Sequence, residues 1–138
     1  MNAILIDTNV VLDVLLDRQP FVKSSAGVWR AIETGAATGF LSAHAVTTIH
    51  YLVSKQAGVA IAKRVVSELL EVFRIAAITE AVIHRAVAAE FHDFEDAVTA
   101  AAAGLNGCDY IVTRDPKGFR KSAVKAVAPE SVIAMLTP

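Results

Sequence analysis

Two aspartates stand directly after short apolar segments of the chain. Asp7 follows the apolar run Ala3–Ile6, and Asp115 lies just beyond Asp109–Thr113. Runs of this length and composition are typical of buried strands, and ligands of open α/β sheets bind outside the carboxyl ends of the strands. We therefore expect the carboxylates of Asp7 and Asp115 to lie at the same edge of a sheet.

A second pair of acids precedes the segment Asp109–Thr113. Asp93 and Asp96 are three residues apart at the start of a predicted helix, so they share a helix face. Glu95 lies between them and is expected to point elsewhere. If this helix begins at the same sheet edge, the four aspartates converge.

Four converging carboxylates favour a bound cation. At about 4 Å and an effective dielectric near 20, each like-charged pair repels by about 4 kcal/mol. Oxygen ligands without thiolates or clustered imidazoles favour Mg²⁺ or Mn²⁺ over Zn²⁺. The alternatives are structural: Asp7 and Asp93 as helix N-caps, and Asp115 as part of an Asp-Pro turn.

The predicted strands that position these acids alternate along the chain with predicted helices. The apolar runs are continuous, as in parallel strands covered on both faces. The pattern therefore predicts an α/β fold: a three-layer α/β/α sandwich with a central, mainly parallel sheet of four to five strands. Predicted strands are Ala3–Ile6, Thr38–Leu41, Ile75–Ile78, Asp109–Thr113 and Ala123–Val127; predicted helices are Thr8–Leu16, Phe21–Thr34, one capped by Ser42 and ending near Lys55, Val59–Phe73, Glu80–Phe91, Phe94–Leu105 and Pro129–Leu136.

Composition excludes several classes of protein. The 138 residues are 54% hydrophobic, which is typical of a folded domain, and we expect one domain over residues 1–138. The one cysteine excludes a disulfide scaffold, and a net charge of −1 argues against a generally basic nucleic-acid-coating protein. No targeting or membrane-spanning segment is recognised, so a cytoplasmic location is expected.

Three short motifs follow one another along the chain. They are Asp7-Thr8-Asn9, then Asp96-Ala97-x-x-Ala100-Ala101, then Ile111-Val112-Thr113-Arg114-Asp115-x-x-Gly118-Phe119. Together they resemble the PIN-domain family, especially its compact toxin–antitoxin (VapC-like) ribonucleases. The resemblance implies a Mg²⁺- or Mn²⁺-dependent endoribonuclease whose acidic positions are matched by Asp7, Asp96 and Asp115, with Asp93 as a further acid of one subgroup. It also implies a small antitoxin protein as partner and a homodimer.

One position departs from the family's pattern. The family usually places a glutamate on the helix after the second strand, where this chain has no acid and Thr48 occupies the position. A hydroxyl is a poor substitute for a charge, and Asp93 is a candidate to compensate. This leaves open the number of metal ions and the strength of catalysis.

Other side chains complete the expected site. We expect Asp7, Asp93, Asp96 and Asp115 to be the catalytic metal ligands, with Asp93 as ligand or general base. Asn9, Thr48 and Thr113 are candidates to orient carboxylates or water. Three cations around Asp115 are candidates to hold RNA phosphates: Arg114, Lys117 and Arg120.

Two alternatives of other classes remain. A PIN-like module whose site has decayed would bind RNA without cutting it, and Thr48 favours that reading. A receiver-type phospho-signalling domain also places acids at strand ends, but it would need a phosphoacceptor aspartate at a middle strand. The third predicted strand instead leads into Thr79 and Glu80, which disfavours a receiver.

Overall fold

A computed structural model describes residues 2–136, so residues 1, 137 and 138 of the predicted domain lie outside the described part. Five strands form one parallel sheet in the order β3-β2-β1-β4-β5. The strands are β1 (Asn2–Ile6), β2 (Ala37–Ser42), β3 (Arg74–Ala76), β4 (Tyr110–Val112) and β5 (Lys125–Val127).

Helices cover both faces of this sheet. They are α1 (Thr8–Leu15), α2 (Val22–Glu33), α3 (Ala43–Ala57), α4 (Val59–Val72), α5 (Glu80–Ala88), α6 (Phe94–Leu105) and α7 (Pro129–Leu136), with a 3₁₀ turn at Pro116–Phe119. Residues of α1 to α4 and α7 share one core, while α5 and α6 contribute to a second core on the opposite face. The predicted three-layer α/β/α architecture is confirmed. None of the helices in the described range is long and apolar enough to cross a membrane.

The alternation of side chains along β1 separates the two cores. Ile4 and Ile6 are buried in the core of α1 to α4, whereas Leu5 is buried against α5 and α6. On α6, the small side chains of residues 100–103 are all buried. Small side chains let the helix backbone approach the sheet closely, so the alanine-rich segment serves packing.

Some predicted boundaries were wrong. The third strand ends at Ala76 rather than Ile78, because the backbone of Ala77 bonds to the side chain of Asn106 instead of to a strand. Helix α5 ends at Ala88 rather than Phe91. Ser42 does precede α3, but its side chain makes no capping hydrogen bond.

The strand order reverses direction at β1. The chain adds β2 and β3 on one side of β1 and then returns to place β4 and β5 on the other. Such a switch point leaves a crevice beyond the carboxyl ends of the two central strands, because their connections diverge to opposite faces. Asp7 and Thr113 directly follow these two strands.

Candidate metal centre

A cleft of about 290 Å³ opens at the carboxyl ends of β1 and β4. The start of α6 forms one wall of it, and the loop after β4 forms another. All four predicted aspartates and the three predicted orienting residues line this cleft. Its lining comprises Asp7, Thr8, Asn9, Leu12, Thr48, Leu52, Asp93, Glu95, Asp96, Thr113, Asp115 and Phe119.

Asp7 is held rigidly at the end of β1. Its carboxylate caps α1 by accepting a hydrogen bond of 2.9 Å from the backbone N–H of Thr8. The second carboxylate oxygen accepts a hydrogen bond of 2.9 Å from the hydroxyl of Thr113. Burial raises the pKa of Asp7, while these two hydrogen bonds act to lower it. Asp7 therefore caps α1 and also lines the cleft.

Asp96 is the acid most affected by its neighbours. It is the third residue of α6, where the helix dipole favours a negative charge. Burial and the charges of Asp93, Asp7, Glu95 and Asp115 raise its pKa to about 6. The acids of the cleft therefore repel one another when no cation is among them.

Asp115 approaches Asp96 beside Gly118. A Cβ atom on Gly118 would lie 2.9 Å from Oδ2 of Asp115 and 3.4 Å from Oδ2 of Asp96. The glycine therefore leaves space that both carboxylates approach. The side chain of Asp115 does not cap the 3₁₀ turn that follows it, so the carboxylate oxygens are not used by that turn.

Asp93 has a clear structural role. Its carboxylate is the N-cap of α6 and accepts a hydrogen bond of 3.1 Å from the backbone N–H of Asp96. The side chain is exposed at the mouth of the cleft. The capping alternative is thus observed for Asp93, and it fixes the first turn that carries Asp96.

A family model described as PIN domain matches residues 3–117 of this chain. The chain belongs to the PIN-domain family. Among curated proteins, none matches its sequence significantly.

Solved structures share this PIN fold. One is FitAcB from Neisseria gonorrhoeae, with a TM-score of 0.73 and 22% identity over 91% of this chain and 97% of that chain. A toxin–antitoxin complex from Klebsiella pneumoniae has a TM-score of 0.68 and 22% identity, covering 91% and 96%. VapC20 from Mycobacterium tuberculosis, described as a sarcin-ricin loop cleaving toxin, has a TM-score of 0.61 and 16% identity, covering 78% and 86%. The expected resemblance to PIN proteins is confirmed.

Glu95 corrects one sequence-based expectation about this PIN domain. It was expected to point away from the acids, yet it lines the cleft, and its charge contributes to the raised pKa of both Asp7 and Asp96. The first turn of α6 opens onto the cleft, so neighbouring positions of that turn reach it. The prediction assumed that only one face of α6 meets the site. The cleft instead lies at the start of the helix, where Asp93, Glu95 and Asp96 all line it.

Thr48 of α3 lines the cleft, and His44 of the same helix interacts electrostatically with two of its acids. The Thr48 hydroxyl lies 3.4 Å from the backbone oxygen of His44. Nε2 of His44 lies 3.4 Å from the hydroxyl of Thr99. Burial lowers the pKa of His44, against the opposing charges of Glu95 and Asp7. No spacing rule in the sequence links His44 to α6, so this contact carries no signal in the sequence.

The three predicted RNA-contacting cations differ in their surroundings. The Arg114 guanidinium lies 3.9 Å from the ring centroid of Phe21, and its Nε lies 3.0 Å from Oδ2 of buried Asp13. Lys117 and Arg120 instead line a neighbouring cleft of about 460 Å³ that reaches Gly118. The Arg114 guanidinium is thus held by contacts within the protein, whereas Lys117 and Arg120 are exposed.

The chemistry of the cleft fits a hard divalent cation. Its donors are carboxylate oxygens, and its like charges raise the pKa of Asp96. Within residues 2–136, however, no three histidine, cysteine, aspartate or glutamate side chains already form a compact metal-binding group. In the described residues the acids therefore line one cleft without lying at the mutual distances of a formed metal site.

Proposed function

We propose that this PIN domain is a metal-dependent endoribonuclease that hydrolyses RNA phosphodiester bonds. The observation that carries the proposal is the meeting of Asp7, Asp96 and Asp115 in one cleft, where like charges contribute to raising the pKa of Asp96 to about 6. A protein that keeps mutually repelling acids at a topological switch point is suited to bind a cation there.

Asp7, Asp96 and Asp115 would hold Mg²⁺ or Mn²⁺, with Asp93 as a further ligand or general base. When bound, the cation supplies positive charge for the phosphate and lowers the pKa of a water. Asn9 and Thr48 would orient water or carboxylates from the cleft wall.

Thr113 forms hydrogen bonds with two of these acidic residues. Its hydroxyl donates to Asp7 and accepts a hydrogen bond of 3.1 Å from the backbone N–H of Asp115. One side chain thereby fixes the separation between the end of β1 and the loop after β4. Such outer hydrogen bonds commonly orient carboxylate ligands.

Lys117 and Arg120 would hold phosphates that flank the cleaved bond. Lys117 lies on the 3₁₀ turn and Arg120 directly follows it; both are exposed and line the cleft that includes Gly118. Lys121 in the same cleft lies 3.5 Å from Glu90, so its charge is partly offset. Cations beside an acidic pocket bind the nucleic-acid backbone without reading sequence.

The toxin role is part of the same proposal. The Klebsiella pneumoniae structure is a toxin–antitoxin complex, and VapC20 is described as a sarcin-ricin loop cleaving toxin. By analogy, this chain would act as the toxin of such a pair and bind a small antitoxin protein. A homodimer is also proposed, and α4, which exposes the apolar side chains of Val59 and Leu70 on one face, is a candidate surface for it.

The test is a cleavage assay with purified protein and single-stranded RNA in Mg²⁺, Mn²⁺ or EDTA. Wild type should cut only with a divalent cation, and Asp7→Asn and Asp96→Asn should abolish cutting while remaining folded. Asp17→Asn is the matched control: this exposed residue has a φ of 50°, which asparagine tolerates. RNA binding without cleavage by wild type would instead support the decayed binding module that Thr48 suggests.

A further inference from the structure

A buried carboxylate lies behind the loop that carries Asp115. Asp13 on α1 is fully buried, with an exposed side-chain fraction of 0%. A buried charge is strongly unfavourable unless it is paired and hydrogen-bonded. Its presence so close to the proposed site therefore calls for a partner and a role.

Asp13 joins three parts of the fold. Its Oδ2 atom accepts a hydrogen bond of 3.2 Å from the hydroxyl of Ser25 on α2 and lies 3.0 Å from Nε of Arg114. Its other oxygen lies 3.9 Å from Arg18, which stands between α1 and α2. Asp13 Oδ1 and Arg114 Nε each lack a hydrogen bond of good geometry, so the attraction to both arginines is chiefly ionic.

Arg114 stands between two residues of the proposed site. Thr113 before it bonds to Asp7, and Asp115 after it is a proposed ligand. The Arg114 guanidinium is additionally held over the ring of Phe21 at 3.9 Å. Stacking and ion pairing fix a planar guanidinium in both position and orientation.

We infer that the Asp13–Arg114 pair is the anchor that positions the Thr113–Asp115 segment, and with it the Asp115 carboxylate, for cation binding. The inference rests on the proposed function for its link to a cation. Arg114 is a positioning residue here, since its side chain points to Asp13 and Phe21. The other end of the loop is held by Phe119, which is buried against Phe91.

Two backbone amides measure how well this segment and the turn after it are ordered. The N–H of Asp115 donates to the Thr113 hydroxyl at 3.1 Å, and the N–H of Gly118 donates to the Asp115 carbonyl at 3.1 Å. If the anchor is removed, both hydrogen bonds should open more often. Amide hydrogen exchange then measures positioning without any metal or substrate.

The experiment compares Arg114→Met, Arg18→Met and the double variant Asp13→Asn/Arg114→Met. Arg18→Met is the matched control, because Arg18 also lies near Asp13 but is outside the loop after β4. The double variant leaves no unpaired buried charge, so it separates positioning from the general destabilisation that an orphaned carboxylate causes. Each protein is measured by amide exchange and by calorimetric titration with Mn²⁺ alone.

We expect faster exchange at Asp115 and Gly118 in both Arg114→Met proteins, with Mn²⁺ affinity reduced about 10-fold. Arg18→Met should match wild type in both measurements. With RNA as substrate, Arg114→Met should lower kcat while KM is unchanged. Arg114→Lys keeps the charge but not the planar stacking, so it should recover part of the Mn²⁺ affinity.

The inference is overturned if the double variant keeps wild-type exchange at both amides and wild-type Mn²⁺ affinity while only its melting temperature falls. Failure of the proposed function would look different: wild type itself would bind no Mn²⁺ at the cleft. In that case the exchange comparison between Arg114→Met and Arg18→Met still decides whether the pair positions the loop.

Discussion

The hydroxyl of Thr113 donates a 2.9 Å hydrogen bond to the carboxylate of Asp7 across the ends of two neighbouring strands. The contact follows from the register of the sheet, since Ile6 pairs with Val112 and the backbone N–H of Asp7 donates to the Val112 carbonyl at 2.9 Å. Residues that directly follow two paired strand positions, as Asp7 and Thr113 do, lie close together. The sheet therefore brings the acid of β1 to the loop of β4 before any ligand is present.

Replacing Thr113 by valine should shift the pH dependence of cleavage. Burial raises the pKa of Asp7, and the hydrogen bond from Thr113 acts to lower it. Without that bond the pKa rises further, so the acidic limb of the kcat/KM profile should move to higher pH. The loss of the buried hydrogen bond should also cost about 1–2 kcal/mol of stability.

Thr113→Ser is the control for this prediction, because it keeps the hydroxyl and removes only a methyl group. Its pH profile should overlay that of wild type. An unshifted acidic limb in Thr113→Val, measured at limiting Mn²⁺, would show that the Thr113 hydrogen bond does not control the ionisation of Asp7 in cleavage.

Gly118→Ala should weaken the site while the fold persists. The added Cβ would lie 2.9 Å from Oδ2 of Asp115, so that carboxylate must move. Displacement of catalytic groups by about 1 Å can reduce activity about 100-fold. Gly104→Ala is the matched control, because its Cβ would lie 3.5 Å or more from neighbouring atoms and should leave cleavage unchanged. Equal cleavage by both variants would remove the Asp115 carboxylate from the site.

The meeting of Asp7, Asp96 and Asp115 could be predicted from sequence because local rules apply. Asp7 and Asp115 follow apolar strands, and Asp96 begins a helix whose small side chains mark it as packed. Parallel strands must end at a common edge, so these positions constrain one another.

The Asp13–Arg114 pair could not be predicted in the same way. Asp13 lies within an ordinary amphipathic pattern, and Arg114 follows a strand among other cations, as a solvated residue would. Their pairing depends on how α1 and α2 pack beside the loop after β4, a long-range arrangement without local signature. The same holds for His44, which reaches Thr99 only through the packing of α3 against α6.

Thr48→Glu should keep activity and increase it when the cation is limiting. Thr48 lines the cleft, and its hydroxyl makes a weak 3.4 Å contact with the His44 carbonyl, so little is lost by removing it. A glutamate there would add a carboxylate where the PIN pattern has one. The measurement is cleavage rate against Mn²⁺ concentration, with Thr48→Gln as the uncharged control of equal size. Complete loss of activity in a folded Thr48→Glu protein would show that the cleft already holds all the charge it accepts.

Asp96→Asn should raise stability in EDTA while it diminishes stabilisation by Mg²⁺. Burial and like charges raise the pKa of Asp96 to about 6 from 3.8. For a carboxyl with a raised pKa, the unfolded chain ionises first, so stability is lost as pH rises from about 4 through 6. The asparagine variant avoids that loss, and its advantage in EDTA should grow over this interval to about 1 kcal/mol at pH 7, after allowance for screening of a partly exposed group.

Mg²⁺ should reverse the order of stability, so that wild type becomes more stable than Asp96→Asn. At about 100 times its dissociation constant, a ligand that binds only the folded state stabilises it by about 2.7 kcal/mol. Wild type should gain this amount, whereas Asp96→Asn lacks one ligand and should gain less. Thermal melts of both proteins at pH 5 and pH 7, each with EDTA and with Mg²⁺, give the eight melting temperatures that this comparison needs. If wild type shows no Mg²⁺-dependent shift and Asp96→Asn melts lower in EDTA at pH 7, the acids of the cleft serve the fold alone.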